Sequence, residues 1–378
     1  MQSVRRSQAT PGSEETMTDN MKKPEKATFR VAFTADFFDS AGHPKFADLG
    51  LGTFEPYPHV HTSNFASHQA RIAPDQIEGA NGVVVLTPKV TAESLSAPCD
   101  LLAIGRFGVG YDSVDVDACT RANVLAMITA GAVDRSVAEA TITWMLALTH
   151  QVMAKDRLVR TGRWDDRTLH MGCELRDRSL GVIGLGGIGR QLVSLLRGFG
   201  MRRAMVYDPF ISPDSLKGMD IDSVPLEELL TKADFVSIHC PLTKATRGLL
   251  GARQIAMMKK NAYLLNTARG GIVDEDALFS ALRKGDIAGA ALDCFEVEPV
   301  LEPSRFASLE NVLLAPHAIA WTSEMFRDIG RAACQSMLDI SLGRRPHGVL
   351  NPELLGKPEF LEKWARIIGL AHAGLLEV

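Results

Sequence analysis

Apolar and polar positions along this chain follow two rhythms. From Thr28 onward, short apolar runs such as "FRVAFTAD", "GVVVLTP" and "CDLLAIGRFG" are bounded by turn-forming residues and predict buried strands. Between the first two, "ADLGLGTFEPYPHVH" keeps no period and predicts loop or short helix. The longest helical pattern, residues 136–161, opens on Ser136 with Glu139 in capping-box spacing and meets a stop at Gly162. After Ser179 the rhythm becomes regular. Six apolar runs, "LGVIGLG", "AMVYD", "DFVSIHC", "AYLLNTA", "IAGAALD" and "NVLLAPH", alternate with helical patterns such as "DEDALFSALRKG". Near-continuous apolar strands with intervening helices predict a doubly wound parallel sheet, buried on both faces. A last pattern, "SEMFRDIGRAACQSMLDISLG", predicts one amphipathic helix. Two α/β regions result, the second inserted into the first, with the long helix near the joint.

Composition narrows the function classes. The 378 residues are 46% hydrophobic and 23% charged, ordinary for a globular protein with room for two domains. A formal net charge of −4 leaves no basic footprint, which argues against nucleic acid and membrane surfaces as partners. The most apolar stretch, "ATITWMLALT", lies between Glu139 and His150 and is too short to cross a bilayer. Cys99, Cys119, Cys173, Cys240, Cys294 and Cys334 are scattered without CxxC spacing, and read as reduced thiols of a cytoplasmic protein. Residues 1–27 are polar and predict a disordered extension; no apolar run follows Arg5-Arg6 as an export signal requires, and Met17 or Met21 offers an alternative start. His59, His61 and His68 stand close together, but no Cys or paired carboxylate joins them, so no metal site is expected.

The first candidate chemistry lies in "LGVIGLGGIGR". Gly184, Gly186 and Gly189 stand in GxGxxG order after a strand pattern and before a helical one. In such a turn the first glycine permits the sharp bend and the second admits a pyrophosphate. The third lets the helix pack on the strand, and the helix N-terminus offers free N–H groups to the phosphates. Asp208, at the end of the next strand and 24 positions after Gly184, is placed to accept hydrogen bonds from the adenosine ribose. Its charge repels a 2′-phosphate and no arginine follows it, so NAD is expected rather than NADP. A plain strand-end turn into Pro209 is the competing role for Asp208, and a methyltransferase cofactor is the competing ligand for the loop.

Three late strands end in polar residues at the edge where open α/β sheets bind ligands. "AYLLNTARGG" delivers Arg269, "AGAALDCFEVEP" delivers Asp293 and Glu298, and "VLLAPH" delivers His317. A guanidinium can hold a carboxylate and polarise a neighbouring carbonyl. An imidazolium can protonate that carbonyl oxygen, and a carboxylate on its other nitrogen orients the ring and favours its charged form. Each residue also has an ordinary role: Arg269 against a helix end, Glu298 as a solvated loop residue, His317 as a core ring. All three ordinary roles must hold together for the site to be absent.

At these residues the chain, from about Phe29 to Gly343, resembles the NAD-dependent D-2-hydroxyacid dehydrogenases. That group contains phosphoglycerate dehydrogenase, glyoxylate/hydroxypyruvate reductase and formate dehydrogenase. The resemblance is carried by "GRFGVGYDSVDVDACTRANV", "SVAEATITWMLAL", "GVIGLGGIGR", "IHCPLT", "LLNTARGGIVDEDAL", "ALDCFEVEP" and "APH", in that order. It implies a catalytic trio of Arg269, Glu298 and His317. It also implies pyrophosphate contacts at Gly187 and Ile188, and a cofactor lining of Cys240, Thr267 and Asp293, with Val109 at the cleft between domains. The architecture it implies is a Rossmann cofactor domain at 127–317 inserted into a flavodoxin-like α/β substrate domain, 28–126 plus 318–345. A C-terminal tail would occupy 346–378, and the implied assembly is a homodimer.

Three features sharpen the substrate expectation. Glu298 stands where formate dehydrogenases carry Gln. "AIAW" after His317 brings Trp321 near the reacting centre, as a pocket wall or as packing at the joint. "VLTPKVT" replaces an arginine-rich segment of phosphoglycerate-specific relatives and leaves Lys89 as the nearby cation. An unphosphorylated acid such as glyoxylate or hydroxypyruvate is therefore expected. D-3-phosphoglycerate dehydrogenase and an NADH-sensing corepressor or scaffold on the same fold are the alternatives. The charges around Asp165 read as a solvated turn, and Trp144, Met145 and Leu148 as core or interface.

Overall fold

The computed structural model describes residues 27–97, 99–370 and 375. The predicted extension therefore lies, apart from Ala27, outside the described residues. Five strands, β1 (Phe29–Phe33), β2 (Val60–Asn64), β3 (Gly82–Val85), β4 (Ala103–Arg106) and β5 (Leu125–Ile128), form one parallel sheet in the order β2-β1-β3-β4-β5. That order is flavodoxin-like. Its central strand β3 is buried along its whole length, as the run Val83-Val84-Val85 foretells. β2 corrects the sequence reading, which left this stretch as loop or short helix. It is an edge strand with one apolar residue, so hydrophobic patterning has nothing to report there.

Seven further strands build the second sheet: β6 (Leu180–Ile183), β7 (Ala204–Tyr207), β8 (Ile221–Ser223), β9 (Phe235–Ile238), β10 (Tyr263–Asn266), β11 (Gly289–Leu292) and β12 (Val312–Leu314). All pairs are parallel, in the order β12-β11-β10-β9-β6-β7-β8. The chain reverses direction across the sheet between β6 and β9, which is the switch point of a Rossmann fold. One strand more than expected is present, because β8 is a three-residue polar edge.

Helices cover both sheets: α1 (Val116–Arg121), α2 (Asp134–Thr149), α3 (Val152–Arg160), α4 (Gly187–Leu196), α5 (Leu226–Lys232), α6 (Ala252–Ile255), α7 (Glu275–Lys284), α8 (Ser323–Ser341) and α9 (Pro358–Ile368). Trp144, Met145 and Leu148 of α2 are buried in one cluster with Leu192 and Leu196 of α4. The single helix expected at 136–161 is two. Gln151 takes a left-handed backbone (φ 50°), and its side chain bonds the Met171 carbonyl and the His170 ring, which breaks the run after Thr149. The capping box is absent as well: α2 begins at Asp134, Glu139 pairs with Arg135, and Ser136 Oγ lies 3.3 Å from Thr322 Oγ1.

The segment expected as a tail contributes to the core in its described part, residues 346–370 and 375. Phe360 and Trp364 of α9 are fully buried among Phe29, Val31 and Leu102, and Trp364 Nε1 donates to the Ile340 carbonyl at 2.8 Å. Apolar positions 360, 364, 367 and 368 recur at helical spacing between Pro358 and the left-handed Gly369, so the signal was present in the residues. No helix among the described residues is long and apolar enough to cross a membrane.

Candidate active site

The glycine turn joins β6 to α4. Gly184 has φ +92°, and a Cβ there would lie 2.7 Å from the Cys240 backbone nitrogen. A Cβ on Gly189 would lie 2.6 Å from the Gly184 carbonyl oxygen, so α4 packs directly on the turn. A Cβ on Gly186 would meet nothing within 4 Å, which leaves that side of the turn open. α4 starts at Gly187 with no side-chain cap on its first N–H groups. Asp208 follows β7 and holds the turn: its two oxygens accept from Leu185 N–H at 2.9 Å and from Phe210 N–H at 3.0 Å. One neighbour escaped the sequence reading. The Asp134 carboxylate sits where a side chain on Gly187 would lie, and burial pushes its carboxyl above the usual range.

The late strands deliver their polar residues to one place. At the end of β10, Asn266 braces the turn by donating to the Arg269 carbonyl (2.9 Å) and accepting from Ala268 N–H (3.1 Å). Arg269 Nε then reaches the loop after β4 and meets both oxygens of Asp112, at 3.0 and 3.1 Å. Asp293, at the end of β11, accepts from the backbone N–H groups of Ala318 (2.8 Å) and Ile319 (3.2 Å). Burial still leaves its carboxyl above the usual range. Those bonds fix the turn just after His317, whose own backbone is left-handed at φ 53°.

His317 Nδ1 lies 2.8 Å from Glu298 Oε2, and the other oxygen of Glu298 accepts from Phe295 N–H at 2.9 Å. Burial pushes the Glu298 carboxyl up. The bonds from His317 and Phe295, with the nearby His317 and Arg269 charges, outweigh it and hold the group below its ordinary value. The carboxylate claims Nδ1 and leaves Nε2 as the ring's unengaged nitrogen. Cys294 lies beside this pair; its thiol donates to the Ala268 carbonyl, and burial pushes it up. Cys294, Glu298 and His317 are the only three His, Cys, Asp or Glu among the described residues whose possible ligand atoms all lie within 4.8 Å of one another. His59, His61 and His68 do not converge, and His59 Nε2 lies 3.2 Å from Ser341 Oγ.

A cleft of about 640 Å³ opens between the two sheets. Arg269, His317, Asp293, Thr267, Cys240, Ile188 and Gly186 line it from the second sheet, and Val109 from the first. Gly184, Gly187, Gly189 and Asp208 form the turn behind it rather than its wall, and Glu298 backs His317. Trp321 lines the cleft and is 58% exposed, with its edge on Phe326 (5.1 Å) and Phe46 (6.4 Å). It is both wall and packing. Lys89, expected as the nearby cation, is exposed and away from the cleft; the cation on that side is Arg106, which the strand pattern had absorbed.

His239, at the end of β9, bonds Ser237 Oγ through Nε2 at 2.8 Å, while Nδ1 is enclosed with no partner. Burial pulls its pKa down from 6.5 to about 4. Between those values the unfolded chain binds the proton and the native one does not. Stability is therefore intact above about pH 6.5 and declines as pH falls, by about 2 kcal/mol at pH 5 and about 3 kcal/mol at pH 4. His239→Gln should shrink the loss of melting temperature between pH 7 and pH 5. An equal acid loss in the variant would assign the sensitivity elsewhere.

Comparison with known proteins agrees with this fold. Residues 142–318 match the model for "D-isomer specific 2-hydroxyacid dehydrogenase, NAD binding domain". The chain is 38% identical over 299 residues to the D-3-phosphoglycerate dehydrogenase of Rattus norvegicus, covering 79% of this chain and 55% of that one. It thus spans about half the length of the phosphoglycerate dehydrogenases it matches. It is 36% identical over 276 residues to the glyoxylate reductase of Korarchaeum cryptofilum, covering 72% of this chain and 83% of that one. Among solved structures, a glyoxylate reductase from Paecilomyes thermophila superposes with a TM-score of 0.74 at 25% identity, over 86% of this chain and 99% of that one. With 83% of the glyoxylate reductase covered at 36% identity, and the same two-sheet architecture, the chain belongs to the D-isomer specific 2-hydroxyacid dehydrogenase family.

Proposed function

We propose that the protein is an NAD-dependent dehydrogenase that interconverts a small D-2-hydroxy acid and its 2-oxo acid. The observation that carries this reading is the Glu298–His317 contact of 2.8 Å in a cleft that also holds Arg269. The residues present fit a dinucleotide: Gly186 leaves the turn open, the first N–H groups of α4 are uncapped, and Asp208 stands at the end of β7. A dinucleotide held by these residues would supply the hydride chemistry at C2. Arg269 binds the carboxylate and the carbonyl oxygen, fixing the acid and polarising C2. His317 gives a proton from Nε2 to that oxygen in reduction and removes it in oxidation. Glu298 holds Nδ1 and balances the charge of the ring.

Glyoxylate or hydroxypyruvate is the substrate we favour, because no lysine or arginine of the "VLTPKVT" segment lines the cleft and a matching relative is a glyoxylate reductase. D-3-phosphoglycerate is the second reading, favoured by the 38% identity to the rat enzyme. Exposed Trp164, Leu169 and Met171 support a homodimer, and six free cysteines support a cytoplasmic setting.

The test is oxidation of NADH by the full chain with glyoxylate, hydroxypyruvate, pyruvate and 3-phosphohydroxypyruvate. We expect glyoxylate or hydroxypyruvate to give the highest kcat/KM. A preference for the phosphorylated acid would select the second reading, and no turnover while NADH still binds would select a sensor or corepressor. Asp208→Ala should narrow the preference for NADH over NADPH by about tenfold, the scale of one charge-assisted contact. An unchanged ratio would show that the ribose contact lies elsewhere.

A further inference from the structure

Arg106 ends β4, a strand whose other three residues are buried. Its side chain lines the same cleft as Arg269 and His317. One terminal nitrogen donates to the carbonyl of Phe107, and Nε is enclosed with no acceptor among the described residues. Two carboxylates lie near it, and neither is bonded to it. Asp112 is held by Arg269 Nε, and Asp36 accepts from the N–H and hydroxyl of Thr87 through Oδ2, while its Oδ1 is enclosed with no partner, as Arg106 Nε is. Burial, and then the charge of Arg269, pull its pKa down to about 10 against the opposing pull of Asp112 and Asp36. A guanidinium largely withdrawn from water without an ion pair destabilises the fold unless a ligand uses it.

The two guanidiniums press on one short loop. A Cβ on Gly108 would collide with Arg106 Nη1, and a Cβ on Gly110 would collide with Arg269 Nη2. Only residues without side chains let both arginines lie there. Among the described residues, the backbone N–H groups of Gly108, Val109 and Gly110 also find no acceptor. The loop therefore presents two cations and three unused donors to the cleft, with Asp112 as the one carboxylate paired to either arginine.

We propose that Arg106 is a substrate-binding residue, and that its guanidinium and that of Arg269 hold the carboxylate of the 2-oxo acid between them across the Gly108–Gly110 loop. The inference rests on the reaction proposed above. An anion placed there replaces the repulsion of two like charges with two attractions. Arg106 belongs to the first sheet and Arg269 to the second, so the bound acid ties the two sheets together across the cleft.

The test compares Arg106→Met with the parent in the full chain, using oxamate, an unreactive carbonyl carboxylate, as the probe. Oxamate is titrated into the protein with NADH bound, and KM is measured for glyoxylate, hydroxypyruvate and 3-phosphohydroxypyruvate. The oxamate Kd and all three KM values should rise by about thirtyfold, the scale of a lost charge-assisted bond, with kcat changing less and the NADH Kd staying within about twofold. Arg106→Lys, which keeps the charge and the packing stem, should show a smaller rise of the same kind and serves if the methionine variant does not fold. Unchanged oxamate binding in a folded variant overturns the proposal. So does a KM rise confined to the phosphorylated acid, which would place Arg106 on the distal group, or a parallel loss of NADH binding, which would make its role structural. A parent protein that binds NADH but neither binds oxamate nor reduces any of these acids would instead bring down the reaction itself.

Discussion

His317→Ala is expected to lower the rate of 2-oxo acid reduction at least about a hundredfold, the scale of losing a positioned general acid. NADH should bind nearly as well as before, because the glycine turn and Asp208 lie behind the cleft and do not touch the ring. The fold should tolerate the change. His317 is 43% exposed at its side chain, and the turn after it is fixed by Asp293 through backbone N–H groups that alanine retains. Glu298 keeps its bond from Phe295 N–H and is 34% exposed, so it is not stranded. Steady-state rates beside an NADH titration check this; a near-normal rate would remove His317 from the mechanism.

Arg269→Ala should cost more, about a thousandfold in kcat/KM, divided between a raised KM and a lowered kcat. One side chain is asked both to bind the carboxylate and to polarise the carbonyl, so ground state and transition state both lose from it. Its ion pair with Asp112 contributes little to stability, because Asp112 is half exposed, and the melting temperature should hardly move. Arg269→Lys should recover only part of the loss, since an ammonium cannot span two oxygens with a planar fork. A variant with raised KM and intact kcat would show that Arg269 binds without polarising.

The sequence carried most of this site because each part has a local signature. A turn that needs φ +92° at Gly184 and close packing at Gly189 leaves glycines in fixed places. Strands buried on both faces leave apolar runs that end abruptly in Arg269, Asp293 and His317. What patterning missed has physical reasons. β2 and β8 are polar edge strands, which gain stability from one neighbour and show no buried face. The break between α2 and α3 depends on the Gln151 side chain meeting Met171 and His170, twenty residues on, a tertiary contact that periodicity does not see. α9 was legible at helical spacing, but its fate as core depended on a groove formed by residues over two hundred positions earlier. Arg106 was hidden for the opposite reason: a cation inside a strand run reads as one imperfect position, and only the fold shows that it faces Arg269.

The most direct test of the account is a crystal structure of the protein with NAD and oxamate bound together. The account predicts the oxamate carbonyl oxygen within hydrogen-bond reach of His317 Nε2 and Arg269, with Glu298 still on Nδ1 and the carbonyl carbon about 3–3.5 Å from the reactive nicotinamide carbon. Oxamate bound away from His317, or a dinucleotide whose nicotinamide lies outside this cleft, would contradict it.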